Sequence, residues 1–213
     1  MKRIIPILFS LVLCFSCQPT WTSWERKVIN ASDSVMYITV IQADSSILRT
    51  PSRDLSKREL ASPELATLIA KMYSTVTDPS QDGVGIAAPQ VGINRRIIWL
   101  QRYDKPQKPF ECYLNVKIDS LYGEIVRGPE GCLSVPPMRG IVPRHSSVKV
   151  SYYSPETRSR VSETVEGYSA IIFQHECDHL DGILYIDRAD TVFVSESWAA
   201  ERESFTYTKP EWF

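Results

Sequence analysis

Gln174-His175-Glu176-Cys177-Asp178-His179 places two histidines four residues apart, with a glutamate between them. Side chains at positions i and i+4 of a helix lie on one face, so the two imidazoles can share one metal ion. Glu176 lies close enough to exchange a proton with a water on that metal, which is the general-base position of the H-E-x-x-H pattern. The alternative is a buried helix whose polar groups make ordinary hydrogen bonds.

The flanking residues predict the helix that carries this stretch. Ser169 is a suitable N-cap, residues 170–173 are apolar on every face, and Asp181-Gly182 provides a stop. A helix that is apolar all round before its polar pair belongs in a protein interior. We therefore expect a bound metal to lie in a cleft.

The composition of the chain predicts one globular domain of ordinary size. Its 213 residues are 43% hydrophobic, which is sufficient for a proper core. The formal net charge of -1 argues against a nucleic-acid partner, because such a partner requires a basic face.

Residues 1–17 have the pattern of a secretory signal peptide. Two basic residues precede residues 4–13, an apolar run too short to span a bilayer. Cys14-Phe15-Ser16-Cys17 then resembles the end of a bacterial lipoprotein signal, with Cys17 as the lipidated residue. We expect a lipid-anchored protein of the cell envelope that contacts the membrane through Cys17. A soluble periplasmic protein and a cytoplasmic protein are the alternatives.

Three segments are expected after the signal. Residues 18–35 are polar without clear periodicity and suit a tether. Residues 36–190 form the folded domain, and residues 191–213 form a C-terminal extension that mixes charged and aromatic side chains.

Several elements of the folded domain follow from local patterns. Ser62 and Pro63 begin a helix whose apolar positions repeat at helical spacing, namely Leu65, Leu68, Ile69, Met72 and Val76. The predicted strands are residues 35–42, residues 96–101, a hairpin of residues 148–153 and 161–165, and residues 183–186.

The cysteines of the mature chain point towards a metal. Cys112, Cys132 and Cys177 make an odd number, so at least one thiol stays unpaired in a compartment that permits disulfides. A metal ligand accounts for an unpaired thiol. We expect Cys112 to be a small apolar residue of the core.

Two further stretches carry chemistry-bearing residues. Gly83-Val84-Gly85-Ile86-Ala87-Ala88-Pro89-Gln90 lets the backbone approach a ligand or another chain segment closely. A phosphate-binding loop is disfavoured there, because the stretch lacks a Walker lysine and the strand and helix that flank such loops. Glu130-Gly131-Cys132-Leu133-Ser134-Val135-Pro136 presents a cysteine from a loop fixed by glycine and proline.

A third protein ligand has to join the two histidines in a catalytic site of the zinc or iron type, which keeps one position open. The candidates outside the helix are His145 upstream and the carboxylates of Asp187, Glu196 and Glu201 downstream. Cys132 is the better partner, because it offers a thiolate on a rigid loop. The predicted metal ligands are therefore Cys132, His175 and His179.

Together the three stretches resemble the peptide deformylase family, whose three motifs they match in the same order. The likeness extends over about residues 47–187. The resemblance implies an α+β fold of antiparallel sheets around a central metal-binding helix. It also implies one divalent ion, Fe²⁺, bound by Cys132, His175 and His179, with Ni²⁺ or Zn²⁺ as replacements.

The implied reaction is hydrolysis of the N-formyl group from N-formylmethionyl peptides. Glu176 takes a proton from the attacking water and returns it to the departing amine, while the Gln90 side chain and the Leu133 backbone N–H stabilise the oxyanion. The implied substrate-binding residues are Val84 and Gly85 along the peptide backbone, Tyr168, Ile171 and Ile172 around the methionine, Arg139 near the far end of the peptide, and Glu130, which orients the cysteine loop.

The signal peptide shapes the functional hypothesis. Family enzymes act in the cytoplasm on chains leaving the ribosome, whereas this signal directs the chain outwards. We therefore expect an envelope-attached deformylase that acts on secreted or scavenged formyl peptides, with zinc or nickel replacing iron where conditions oxidise. The alternatives are another metal-dependent amide hydrolase or metallopeptidase on this scaffold, and a non-catalytic metal-stabilised binding protein.

Overall fold

A computed structural model describes residues 20–41, 46–81, 83–155 and 157–196. The predicted signal peptide with Cys17, and most of the predicted C-terminal extension, lie outside these residues. Within the described ranges no helix is both long enough and apolar enough to cross a lipid bilayer.

Among the residues that the structure describes, six strands form one antiparallel sheet, which confirms the predicted α+β fold. They are β1 (Gly85–Ala87), β2 (Ile97–Gln101), β3 (Phe110–Gly131), β4 (Met138–Ser154), β5 (Ser159–Glu166) and β6 (Thr191–Val194). The order of the strands is β1-β2-β3-β4-β5. β6 lies outside this path and pairs with the first residues of β4, which also pair with the end of β3. Register shifts between β3 and β4 mark bulges, which bend the sheet. The sheet can therefore curve around the helix that precedes β6.

Four α-helices accompany the sheet: α1 (Ser23–Ile29), α2 (Lys57–Leu60), α3 (Pro63–Val76) and α4 (Gly167–Leu180). The start of α3 is as predicted, because Pro63 occupies its first turn and the Ser62 hydroxyl accepts the Leu65 N–H at 3.4 Å. Single turns of 3₁₀ helix cover Ile47–Arg49, Ala88–Val91 and Tyr185–Asp187.

The helix α4 is buried on nearly all sides, as its sequence predicted. Ala170, Phe173 and Cys177 pack in a cluster with apolar residues of β2, β3, β4 and β5. Asp181 follows the last turn, and Gly182 has the positive φ of 74° that ends a helix. This burial holds the His-Glu-Cys-Asp-His stretch rigidly inside the molecule.

Two predicted strands are wrong, and one predicted cap is displaced. Residues 35–41 form single backbone hydrogen bonds to loops instead of a ladder, and residues 183–186 run into a 3₁₀ turn. The predicted cap Ser169 lies inside α4, where its hydroxyl accepts the Asp104 N–H at 3.3 Å. The helix begins at Gly167, whose φ of 65° lets β5 turn directly into it.

The predicted tether is also wrong for its described part, residues 20–35. The helix α1 has a capping box formed by Thr22 and Glu25, and Val28 and Ile29 are buried against the body. Trp21 is buried too, and its indole N–H donates to Ser62 Oγ at 2.8 Å. Seven helical residues are too few to show a clear period, so the sequence pattern missed them.

Candidate metal centre

Cys132, His175 and His179 come together where the loop after β3 meets α4. Their ligand atoms all lie within 4.8 Å of one another, and Cys132 Sγ lies 3.1 Å from His179 Nε2. First-row metals bind cysteine sulfur at about 2.3 Å and imidazole nitrogen at about 2.0 Å. The three predicted ligands are thus close enough to bind a common ion.

The environment of the two histidines fits a site for a cation. Burial and the neighbouring positive charge of His175 lower the pKa of His179 well below its ordinary value, so this imidazole offers a lone pair. Burial opposes the charging of His175, but hydrogen bonds with Cys132 and Glu130 outweigh it and raise its pKa. Positive charge is therefore favoured at His175, where a divalent ion would bind.

Glu130 orients the His175 ring through a contact with its Nδ1 atom. Its Oε2 lies 2.8 Å from His175 Nδ1, which leaves Nε2 of the ring for a metal. Burial alone would raise the pKa of Glu130, but hydrogen bonds from His175 and Arg144 lower it to about 2. We predicted Glu130 as a substrate-binding residue that orients the cysteine loop, and the structure places it against a metal ligand.

A chain of charged residues that sequence reasoning missed extends from Glu130 through the interior to the exposed Arg188. Arg144 donates to both oxygens of Glu130, at 2.8 and 3.0 Å, and to Asp178 Oδ2 at 2.5 Å. Arg188 donates to both oxygens of Asp178 at 2.7 Å. The one signal available in the sequence was Asp178, which stands inside the stretch that carries both histidines.

Tyr185 is a second neighbour of the site that the sequence did not reveal. Its ring stacks on His175 with 5.9 Å between centroids and 19° between planes, and its hydroxyl donates to the Met138 carbonyl. Because Tyr185 is buried, it limits the movement of the His175 ring.

Glu176 is buried next to His175 in α4, and the pKa of its carboxyl lies near neutral pH. Burial raises its pKa to about 7, although the positive charge of His175 opposes the rise. Its Oε2 atom has no hydrogen-bond partner among the described residues. A Cβ added at Gly85 would lie 2.5 Å from Glu176 Oε1, so the close approach predicted for this glycine is to the glutamate.

Gln90 is held in one orientation beside the cysteine. Its Oε1 accepts the Ala87 N–H at 2.8 Å, and its Nε2 lies 3.5 Å from Cys132 Sγ and 3.3 Å from Ser134 Oγ. Leu133 follows the cysteine and is buried. Both predicted oxyanion donors are therefore adjacent to the ligand set.

The predicted substrate residues divide between the interior and the rim. Ile172 is buried beside Gly85, since a Cβ at that glycine would lie 3.0 Å from Ile172 Cγ2. Tyr168, in the first turn of α4, is 49% exposed and packs on Tyr103 with 5.0 Å between ring centroids. Ile171 is partly buried. The isoleucines are thus more deeply buried than Tyr168.

The other two predicted substrate residues lie at separate parts of the sheet. Val84 directly precedes β1, and its carbonyl accepts the Gln101 N–H at 2.8 Å. Arg139 lies on β4 directly opposite Gly131, the residue before Cys132.

The remaining cysteines of the described chain are free thiols. Burial raises the pKa of both Cys112 and Cys177, which keeps them in the neutral form. Cys112 packs against the apolar cluster that includes Ile86 and Ile97, as predicted for a core residue.

Comparison with known proteins agrees with this geometry. A polypeptide deformylase family model matches residues 37–193. A peptide deformylase of Leptospira biflexa is 37% identical over 156 residues, which cover 70% of this chain and 86% of the relative. Peptide deformylase 2 of Bordetella bronchiseptica is 42% identical over 132 residues, which cover 59% and 73% of the two chains.

Solved structures show the same similarity. A class I type b peptide deformylase from Acinetobacter baumannii with bound Met-Ala-Ser is 38% identical, with a TM-score of 0.65, and the match covers 72% of this chain and 98% of that one. The peptide deformylase of Thermotoga maritima gives a TM-score of 0.64 at 34% identity and covers 73% and 99%. The chain therefore belongs to the polypeptide deformylase family and is a metal-dependent hydrolase that removes the formyl group from N-formylmethionyl peptides.

Proposed function

We propose that Glu176 is the general base and acid of this deformylase and that Cys132, His175 and His179 hold its divalent ion. When bound, such an ion polarises water and the formyl carbonyl. The observation that supports the role of Glu176 most directly is its buried carboxylate, which follows His175 in α4 and has one oxygen without a partner among the described residues.

The residues of the chain account for each proton in the reaction. Glu176 accepts a proton from the attacking water as the oxygen of that water bonds to the formyl carbon. The same carboxyl then gives the proton to the amine as the C–N bond breaks, which yields formate and a free amino terminus. Gln90 Nε2–H and the Leu133 backbone N–H donate hydrogen bonds to the developing oxyanion.

The substrate lies along the open edge of β1 in this proposal. The backbone of the peptide follows Val84 and Gly85, and the methionine side chain packs against Ile171 and Ile172. Tyr168 contributes at the rim of the pocket. The Acinetobacter relative with Met-Ala-Ser bound supports a short methionyl peptide as ligand.

Iron in the ferrous state is our proposal for the metal, with nickel or zinc as replacements. The thiolate and two imidazoles suit each of these ions, so the donor set does not select one of them. Metal analysis of protein purified without oxygen, beside protein purified in air, tests this. Iron that is bound only in the oxygen-free sample supports the proposal, and zinc in both samples contradicts it.

We further propose that residues 1–17 are a signal peptide and that lipid at Cys17 anchors the enzyme to the cell envelope. Its substrates are then secreted or scavenged formyl peptides. Labelling of cells with palmitate tests the anchor. The label should be present in the wild type and absent in Cys17→Ala, and an unlabelled wild type in the soluble cytoplasmic fraction would contradict the proposal.

Release of formate from formyl-Met-Ala-Ser tests the mechanism. We expect Glu176→Ala to lose about 10³-fold in turnover, because a general acid and base contributes about 10² to 10⁴. Glu166→Ala is the matched control. Glu166 is exposed at the start of the same helix, makes no side-chain cap, and should keep full activity.

Three results would overturn the assignment. The first is full activity in Glu176→Ala with its metal content unchanged. The second is a metal-loaded wild type that releases no formate but cleaves unformylated peptides, which would favour a metallopeptidase on this scaffold. The third is a protein that binds metal and hydrolyses neither class of peptide, which would favour the non-catalytic alternative.

A further inference from the structure

A row of residues crosses three strands from the metal centre to the edge of the sheet. Gly131, the residue before Cys132, pairs with Arg139 on β4, and Arg139 pairs with Phe193 on β6. Residues directly opposite one another in antiparallel strands carry their side chains on the same face. A Cβ added at Gly131 would lie 3.6 Å from Arg139 Cζ, so the arginine side chain crosses this face above the glycine.

The opposite face of these strands is occupied by the core. A Cβ at Gly140 would lie 2.9 Å from Ala189 Cβ and 3.2 Å from Tyr185 Cε2. Since neighbouring residues of a strand point to opposite faces, Arg139 and Phe193 lie on the face away from Tyr185. Phe193 is 42% exposed there. Phe193 is therefore a large, partly exposed apolar side chain on the same face of the sheet as Gly131, the residue before Cys132.

The distance from the metal centre matches the third residue of a bound peptide. Adjacent strands lie about 4.8 Å apart, so the backbone at Phe193 is about 10 Å from the backbone at Gly131. An extended peptide advances about 3.3 Å per residue, which places its third residue about 7 to 10 Å from a carbonyl group at the metal centre.

We propose that Phe193 is the contact for the side chain of the third residue of the formylated peptide, and that it selects apolar or aromatic side chains at that position. This inference rests on the proposed function of the site. Contact between two apolar side chains removes both from water. The guanidinium of Arg139, which lies above Gly131 on the same face, disfavours lysine or arginine at this position of the substrate, because like charges repel.

Amidated tripeptides test the proposal, because they carry no terminal carboxylate that could pair with Arg139. We expect kcat/KM for formyl-Met-Ala-Leu-amide to exceed that for the serine analogue by about 5- to 10-fold, and that for the lysine analogue by more. The preference should lie in KM with kcat unchanged, because the contact is equal in the ground and transition states. Phe193→Ser should reduce the preference to less than about 2-fold.

Val192→Ser is the matched control, because Val192 is the neighbouring apolar residue of β6 and points to the other face. It should keep the preference, and so should Phe193→Leu, which retains an apolar surface. Binding of the product peptides Met-Ala-Leu-amide and Met-Ala-Ser-amide, measured by titration calorimetry, provides a readout that does not depend on turnover. The ratio of their affinities should fall in Phe193→Ser alone.

The outcomes separate this proposal from the one on which it rests. A wild type that releases formate equally from the leucine and serine peptides overturns the role of Phe193 and leaves the deformylase assignment intact. A preference that survives in Phe193→Ser, or disappears in Val192→Ser as well, overturns it too. A wild type that releases no formate from any of these peptides overturns both proposals.

Discussion

Two arginines in different regions of the molecule have the same local arrangement. Each has a buried guanidinium that bridges two carboxylates from separate elements. The pairs are Arg95 with Glu25 and Glu59, and Arg144 with Glu130 and Asp178. Both clusters join segments that are distant in sequence.

The two clusters differ in what the carboxylates contact next. Glu25 accepts the Thr22 N–H and Glu59 accepts the Ser56 N–H, so the Arg95 cluster ends in the caps of α1 and α2. Glu130 instead contacts the ring of His175. A buried ion pair alone therefore does not identify a functional site, whereas the group at the end of the chain of contacts does.

The largest effect should follow from removal of Arg144. Arg144→Met leaves the carboxylates of Glu130 and Asp178 buried without their shared cation, which should cost about 3–5 kcal/mol in the free energy of unfolding. Metal affinity should fall by about 10- to 100-fold, because Glu130, which orients His175, loses the arginine that holds its carboxylate in place. Urea denaturation and metal titration measure the two effects.

The milder Glu130→Gln variant separates the orientation of His175 from the stability of the folded protein. It keeps Arg144 and a hydrogen-bond acceptor, so we expect weaker metal binding with a smaller loss of stability than in Arg144→Met. Unchanged metal affinity in both variants would contradict the role that we assign to this cluster.

Glu59→Gln should have the next largest effect, and on stability alone. The Glu59 side chain is fully buried and hydrogen-bonded to Arg53 and Arg95, so its loss should cost about 2–3 kcal/mol at pH 7. Metal affinity and formate release should not change. A loss of metal affinity similar to that in Arg144→Met would remove the distinction between the two clusters.

The effect of Glu59 should also depend on pH. Burial alone would raise its pKa, but hydrogen bonds from Arg53, the Ser56 backbone and Arg95 lower it from 4.5 to about 2. A carboxyl with a lowered pKa in the folded state stabilises that state above its unfolded pKa and loses this contribution as pH falls through the folded pKa. The difference in the free energy of unfolding between wild type and Glu59→Gln should thus have its full value above pH 4.5 and decrease towards pH 2. Urea denaturation across this pH range measures it.

The parts of the site that the sequence predicted are those determined by local spacing. The i and i+4 histidines and the apolar residues before them predict a buried helix with both imidazoles on one face, and the structure shows this helix with the two histidines close to Cys132. Cys132 was predictable because a short loop between glycine and proline fixes its position. The helix α3 and the hairpin of β4 and β5 have equally local signals.

The missed parts depend on contacts between residues distant in sequence. Arg144 contacts Asp178 across 34 positions, and no spacing rule connects them. The second half of β3 is mostly exposed and bulged, so it lacks the alternation that marks a strand with one buried face. Arg95 and Glu25 are 70 positions apart, which explains why α1 was predicted as a tether.

The smallest effect should come from an ion pair of the same chemistry on the surface. Arg127 Nε lies 2.9 Å from Asp190 Oδ2, and the two side chains are 60% and 46% exposed. Water already solvates both groups, so Arg127→Ala should change the free energy of unfolding by less than about 1 kcal/mol, and salt should reduce the difference. If Arg127→Ala lowered the free energy of unfolding as much as Glu59→Gln does, burial would not determine how much each ion pair contributes to stability. A small, salt-sensitive loss would leave burial as the cause of the stability differences and contact with His175 as the cause of the functional one.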